Sequence, residues 1–231
     1  MIDFAGFGAG YALLLLMPLA TLLSARSVPH IAPHASAPRP AEHRAWDLLE
    51  APGMKRLLLV NWLLSMCWDV HSFAVPILGH ERGFSASTIG LILGTFTLSV
   101  TCVRLFIPML AHRVREGQVV RVAMFGTGLV FALYPLARSP WLMAGCAVLL
   151  GLTLGCVQPM IMSTLHHLTP DNRHGEALAF RSMAINASST VMPLLFGAAG
   201  TVVGAAVLFW AVGGAVGAGS WVARRLETAR A

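Results

Sequence analysis

Charge is scarce in this chain. Of its 231 residues only 11% are Asp, Glu, Lys or Arg, against 56% hydrophobic, and the mean hydropathy is +0.71. Soluble domains usually carry about a quarter charged residues, so this composition excludes a soluble globular fold and points to the membrane class. Cysteine is scarce as well. Cys67, Cys102, Cys146 and Cys156 all lie in apolar runs without Cys-x-x-Cys spacing, which excludes a disulfide framework or a thiolate metal site and reads them as small hydrophobes. Catalytic signatures are missing: there is no nucleophile elbow, no His-Glu-x-x-His and no phosphate loop. Asp69 is the one acid well inside an apolar run. The expectation is therefore a non-enzyme without cofactor or metal. His30, His34 and His43 do not change it, because their irregular spacing in a proline-rich tract supplies no coordination framework. Nor does the net charge of +6, with a pI near 9.9. The basic residues stand between apolar runs, not in one patch with aromatics, so nucleic acid is excluded as a partner.

What the sequence does have is seven apolar runs: Phe4–Leu23, Met54–Leu78, Ser87–Ala111, Val119–Ala137, Trp141–Leu165, Ala177–Ala199 and Val202–Val222. Each approaches the roughly 20 residues that a helix needs to cross the hydrocarbon core of a bilayer. The first lacks the positive segment of a signal peptide, with Asp3 in its place, and reads as a retained helix. Its Gly6 and Gly10, like Gly213 and Gly217 in the last run, have the spacing that lets a second helix approach closely. Residues 26–53 form the long polar segment. Pro29, Pro33, Pro38 and Pro40 prevent a continuous helix at its start, while AEHRAWDLLE predicts a short amphipathic helix at the membrane surface. The chain thus divides into a first helix (1–25), a linker (26–53) and a six-helix bundle (54–231).

The second run carries the feature around which the others are arranged. A carboxylate at mid-bilayer costs about 2.5–3.5 kcal/mol on insertion scales, so Asp69 must face protein or a wet cavity. Helical spacing places Ser65, Asn61 or Trp62, Ser72, Phe73 and Pro76 on its stripe, with His71 about 200° round and turned away from any cavity. In the third run Gly90, Gly94, Thr97, Thr101, Arg104 and Pro108 share one face. In the fifth, Gly151, Gly155 and Gln158 lie on one side, followed by Pro159, which would free a backbone carbonyl near the middle. The sixth holds Arg181, Asn186, Ser188, Ser189, Thr190 and Pro193.

Counting basic residues by side orients the chain. If the linker is cytoplasmic, alternation puts Lys55, Arg56, Arg113, Arg115, Arg121, Arg173, Arg224, Arg225 and Arg230 on that side and leaves Arg82 and Arg138 on the other. The positive-inside rule then places the N-terminus outside and the C-terminus in the cytoplasm. At ~1.5 Å per residue, Asp69 lies near the midplane while Arg104 and Arg181 lie roughly 8 Å from the cytoplasmic boundary. Two arginines at one depth repel unless an anion or a carboxylate lies between them, which suggests either an anionic solute group or a gate. Each also has a plain reading as an interfacial anchor.

One helix, a long linker and six helices is how the second half of a major facilitator superfamily transporter looks with the preceding helix attached. GFSASTIGLILGTFTLSVTCVRLFIPMLAHRVREG resembles the entry turn, eighth helix and following cytoplasmic turn of that family, and LLGLTLGCVQPMIMSTLHHLTPDNRHGEALAFRSMAINASSTVMPLLFG resembles its tenth and eleventh helices. In the loop signature Arg113 is the clear match, while Pro108 and Arg115 stand where glycines are usual and His112 where an aspartate is usual.

The resemblance implies an all-α membrane protein of seven transmembrane helices, six forming a half-bundle of 3+3 inverted repeats. It implies secondary active transport of a small organic solute, a drug or metabolite with efflux favoured, by alternating access across a bacterial-type inner membrane, with protons as coupling ion. Asp69, Arg104, Gln158, Arg181 and Asn186 are the candidate substrate and proton pathway, and Arg113 and Arg115 the candidate cytoplasmic loop motif. Family members have twelve helices, so the expectation is a truncated transporter, completed by a missing N-terminal half or a second membrane chain. A non-transporting membrane subunit that pairs with a partner through its glycine-rich helices is the alternative.

Overall fold

The apolar runs become helices, and the breaks between them carry helix-stopping chemistry. The computed structural model describes residues 2–27, 44–110 and 115–227. His30, His34, His43 and Arg113 lie outside the described residues. Seven α-helices follow in order: α1 (Ile2–Ala25), α2 (Met54–Glu81), α3 (Ala86–Leu110), α4 (Glu116–Leu133), α5 (Pro140–Leu168), α6 (His174–Val203) and α7 (Ala205–Glu227), with no strand among the described residues.

Met54–Glu81, Ala86–Ile107, Glu116–Leu136 and Pro140–Leu168 are long and apolar enough to cross a membrane, and Leu14–Ala25 and Ala205–Trp221 are shorter apolar helices. α6 has 30 residues, ample for a crossing, but Arg181, Asn186, Ser188, Ser189 and Thr190 dilute its apolar character. The break between α6 and α7 is a single residue, Gly204, whose φ of 83° lies in the left-handed region that glycine enters without steric cost. α5 opens with Pro140 at its first turn, where no N–H is needed, and Ser139 Oγ accepts the Leu142 N–H at 3.2 Å.

The chain forms two compact units, Met1–Arg39 and Pro40–Ala231. The first contains α1, which continues through Pro18 and keeps its hydroxyls bonded to its own carbonyls, Thr21 to Met17 at 3.0 Å and Ser24 to Ala20 at 2.9 Å. In the second, α3 packs on α5, α4 on both α5 and α7, and α2 on α6 and α7. Two crossings are close because glycine allows it. A Cβ on Gly151 would stand 2.7 Å from both the Phe96 carbonyl oxygen and Ser99 Cβ, and a Cβ on Gly128 would stand 2.9 Å from the Gly213 carbonyl oxygen and 3.3 Å from Gly217 Cα. Gly213 and Gly217 thus form the close-packing pair that their spacing predicts. Between α2, α4 and α7 the core is aromatic, with Tyr134 stacked on Phe209 at 5.1 Å and Phe131 edge-on to it at 5.4 Å.

Polar ties join the helix ends. Arg82, just past α2, donates to the carbonyls of Ala137, Tyr134 and Pro135 at the end of α4. At the opposite end Glu116 accepts from Ser163 and Thr164 of α5.

Two expectations need correction. The predicted amphipathic helix is a short 3-10 helix, Ala45–Glu50, whose Leu48 is buried. It is held by the Trp46–Phe180 contact with α6 at 5.2 Å and by Arg173 Nη2, in the turn just before α6, donating to the Arg44 carbonyl at 3.1 Å. Leu48 and Trp46 find apolar protein surface there, so this segment docks on the bundle. Among the cysteines, Cys67 and Cys146 are buried and Cys156 half-buried, but Cys102 is exposed, on the side of α3 turned away from α5.

Candidate functional site

Four helices of the bundle, α2, α3, α5 and α6, enclose a cleft of about 450 Å³ lined by Ser65, Trp68, Asp69, Ser72, Arg104, Gln158, Ile185 and Ser189. Among the described residues, none from α4 or α7 lines it. The α2 contribution is a helical stripe: Ser65, Asp69 and Ser72 are separated by four and three residues and face one way. The opposite side of α2 carries His71, fully buried, with Nε2 3.1 Å from the Tyr134 hydroxyl and the ring 4.1 Å from that of Phe96. It does not line the cleft.

Asp69 is held from α6. Ser188 Oγ donates to Oδ2 at 2.6 Å and Ser189 Oγ to Oδ1 at 3.1 Å, so each carboxylate oxygen has one hydroxyl donor. Among the described residues no ion pair joins Asp69 to Arg104. Arg104 instead lies with its guanidinium carbon 5.9 Å from the centre of the Trp68 ring, a cation–π distance, and Trp68 is braced edge-on against Phe96 at 4.8 Å.

Arg181 and Gln158 meet: Arg181 Nη2 donates to Gln158 Oε1, while Arg181 Nε is buried without a hydrogen-bond partner among the described residues. Gln158 also borders a smaller space of about 20 Å³, with Asn61, whose Nδ2 is buried and has no hydrogen-bond partner among the described residues. That volume suits one water molecule, and Asn61 and Gln158 supply the polar contacts it would need.

Of the pathway candidates, then, Asp69, Arg104 and Gln158 share the cleft and Arg181 reaches it through Gln158. Asn186 does not. Its side chain is exposed, and its carbonyl accepts the Thr190 hydroxyl at 2.9 Å. It follows Ile185, and one residue turns an α-helix by about 100°, which carries it off the stripe formed by Ile185 and Ser189. Arg115 is exposed at the start of α4, outside the cleft.

The sequence reading missed Ser188 and Ser189 as partners of Asp69. The available signal was spacing: Ser188 follows Arg181 by seven residues, two helical turns, and so shares its face. Trp68, which precedes Asp69 on α2, was also missed, although its ring reaches Arg104.

The cleft is open on one side. Gly90, Gly94, Thr97 and Thr101, on the α3 stripe that ends in Arg104, are exposed, whereas Ile92, Phe96, Ser99 and Val100 are buried. Charged and hydroxyl groups on that stripe are not covered by other described parts of the chain.

The family model of the Major Facilitator Superfamily matches residues 57–230, which takes in all four helices of the cleft. Among proteins of curated function, none matches the chain. Since the match covers most of the chain, the chain belongs to the Major Facilitator Superfamily, an integral multi-pass membrane protein from a family of small-molecule transporters.

Proposed function

We propose that the bundle carries out proton-coupled secondary active transport of a small organic solute, a drug or metabolite moved outward by alternating access. The observation that carries this reading is the pairing of Asp69 with Ser188 and Ser189 at the edge of a polar cleft. A carboxylate bonded in this way ties α2 to α6. Adding a proton removes its charge and weakens both bonds, so the α2–α6 contact becomes a two-state element whose balance depends on the side from which protons arrive. Arg104, with Gln158 and Arg181, supplies donors for the polar or anionic group of the solute, and Trp68 offers an apolar face to its body.

In this reading the Arg115 end of α4 faces the cytoplasm of a bacterial-type inner membrane, with the N-terminus outside and the C-terminus inside. The exposed α3 stripe is covered by a second six-helix bundle, which closes the path. The open cleft and the polar stripe favour this over a purely scaffolding subunit, for which no carboxylate within an apolar helix would be needed.

The test is proton movement. The chain is reconstituted in vesicles with a pH-sensitive dye inside, together with any membrane bundle that co-purifies, and a panel of organic acids, bases and neutral drugs is added. A solute that drives a dye change in the wild type should drive none in Asp69→Asn, while its binding to Asp69→Asn persists. Proton flux surviving in Asp69→Asn would remove the coupling role.

A further inference from the structure

A second concave site lies away from the cleft, between α4 and α5, and nothing in the transport reading uses it. The groove, of about 350 Å³, runs from Arg115 and Gln118 past Val119 to Val122 on α4, with Leu152 and Cys156 among the α5 residues beside it. Side-chain ties join the two helices on either side of it: Thr127 donates to Thr153, itself part of the lining, at 3.1 Å, and Glu116 accepts from Ser163 and Thr164. The two helices are thus held with a gap between them. Its rim is apolar and open, with Val122 65% and Leu152 45% exposed. That is the surface a membrane-spanning bundle presents to lipid.

Polarity is graded along its length. Arg115 and Gln118 are exposed at the α4 terminus, where the helix leaves the apolar zone, and Val122 lies seven residues, about 10 Å, deeper. The carboxylate of Glu116, next to Arg115, is turned toward Ser163, Thr164 and His167 of α5, and it is not part of the lining. One end therefore offers a cation and an amide to a headgroup, and the rest offers mostly aliphatic walls to a chain, Val119, Val122, Ala123 and Leu152, with Cys156 and with Thr153, whose hydroxyl is bonded to the Leu150 carbonyl.

We infer that this groove is a binding site for an anionic phospholipid, its phosphate on Arg115 and Gln118 and one acyl chain along Val119, Val122 and Leu152. Three properties select that occupant. The apolar part lies at hydrocarbon depth, where an acyl chain and not water fills a gap. The polar part lies at headgroup depth. Its charge is positive, so it attracts a lipid with net negative charge more than a zwitterionic one.

Native mass spectrometry of the detergent-purified full chain tests this, with phosphatidylglycerol and phosphatidylcholine of identical acyl chains. The wild type should retain phosphatidylglycerol about fivefold more than phosphatidylcholine, the preference that one basic residue near a headgroup supplies. Arg115→Gln should bring that ratio close to one and Arg115→Lys should keep it. Val122→Trp, which fills the groove from its exposed side, should reduce adducts of both lipids. Equal retention of the two lipids by the wild type, or an undiminished ratio in Arg115→Gln, overturns the inference. So does full retention in Val122→Trp. Glycerol phosphate, which has the anion without chains, should give no adduct; if it competes as well as the lipid, the site takes free anions and the lipid assignment falls.

Discussion

Ser188 on α6 donates to Asp69 on α2 at 2.6 Å, joining the middles of two helices across 119 positions of chain. The bond places a hydroxyl against the one carboxylate of the cleft, and Ser189 supplies a second on the other oxygen. Because the two donors are adjacent on one helix, any motion of α6 along or about its axis moves both.

Removing them separately measures that tie. Ser188→Ala leaves Asp69 with Ser189 and should lower stability by about 1 kcal/mol, the scale of an interhelical hydrogen bond in a membrane protein. Ser188→Ala with Ser189→Ala leaves a carboxylate without hydroxyl donors and should cost more than the sum of the two, because a half-bonded acid retains much of its stabilisation. Unfolding in mixed detergent and SDS reads both. Simple additivity would mean that water replaces the hydroxyls freely.

A second expectation concerns the crossing of α3 and α5. Gly151→Ala puts a Cβ 2.7 Å from the Phe96 carbonyl oxygen and from Ser99 Cβ, so the helices must separate. The cost should be about 1–3 kcal/mol, as for other overpacked cores. Gly90→Ala, on the exposed stripe of α3 with nothing within 4 Å of the added carbon, should instead leave the melting temperature unchanged or raise it slightly. Equal melting temperatures for Gly151→Ala and wild type would show that the α3–α5 contact is looser than this geometry.

How much of this was legible from sequence follows from what lipid penalises. Asp69, Arg104, Gln158 and Arg181 stood out because charge or amide is costly inside an apolar run, and the structure draws all four to one cleft or its edge. Asn186 shows the limit. Its polarity is as conspicuous as that of Gln158, but which way a residue faces is set by how the helix rotates against its neighbours, and no neighbour is visible in a single run. Serines are harder still, since Ser and Thr in helices can satisfy themselves on their own carbonyls, as Ser65 does with Asn61 at 2.8 Å. Ser188 and Ser189 were hidden among such self-satisfied hydroxyls. The linker failed for a different reason: amphipathicity predicts a surface helix, and Leu48 found a protein surface instead of lipid.

Arg82 carries a third prediction. Its guanidinium serves three carbonyls at the end of α4 from two nitrogens, Nη1 to Ala137 and Nη2 to Tyr134 and Pro135, whereas an ammonium would have to reach all three from one nitrogen. Arg82→Gln should cost about 1.5–3 kcal/mol, the range for hydrogen bonds to a charged group. Arg82→Lys should recover less than half of that loss, and hydrogen exchange at residues 134–138 should rise in both. Full recovery by lysine would reduce the role of Arg82 to simple charge.

The fourth lies on the buried side of α2. His71 and Tyr134 share one hydrogen bond, 3.1 Å long, and both are fully enclosed, with His71 Nδ1 already lacking a partner among the described residues. Tyr134→Phe keeps the ring stacked on Phe209 but leaves neither nitrogen of His71 with a protein partner, so it should destabilise by about 1 kcal/mol. His71→Leu leaves the tyrosine hydroxyl unmatched and should cost a similar amount or more. The double variant removes both polar atoms together, and since an unmatched buried group is what costs most, it should be more stable than either single variant's loss added to the other's. A double-mutant cycle on unfolding free energies decides the matter. Strict additivity would mean the bond contributes nothing and His71 is retained on α2 for its shape against Phe96 alone.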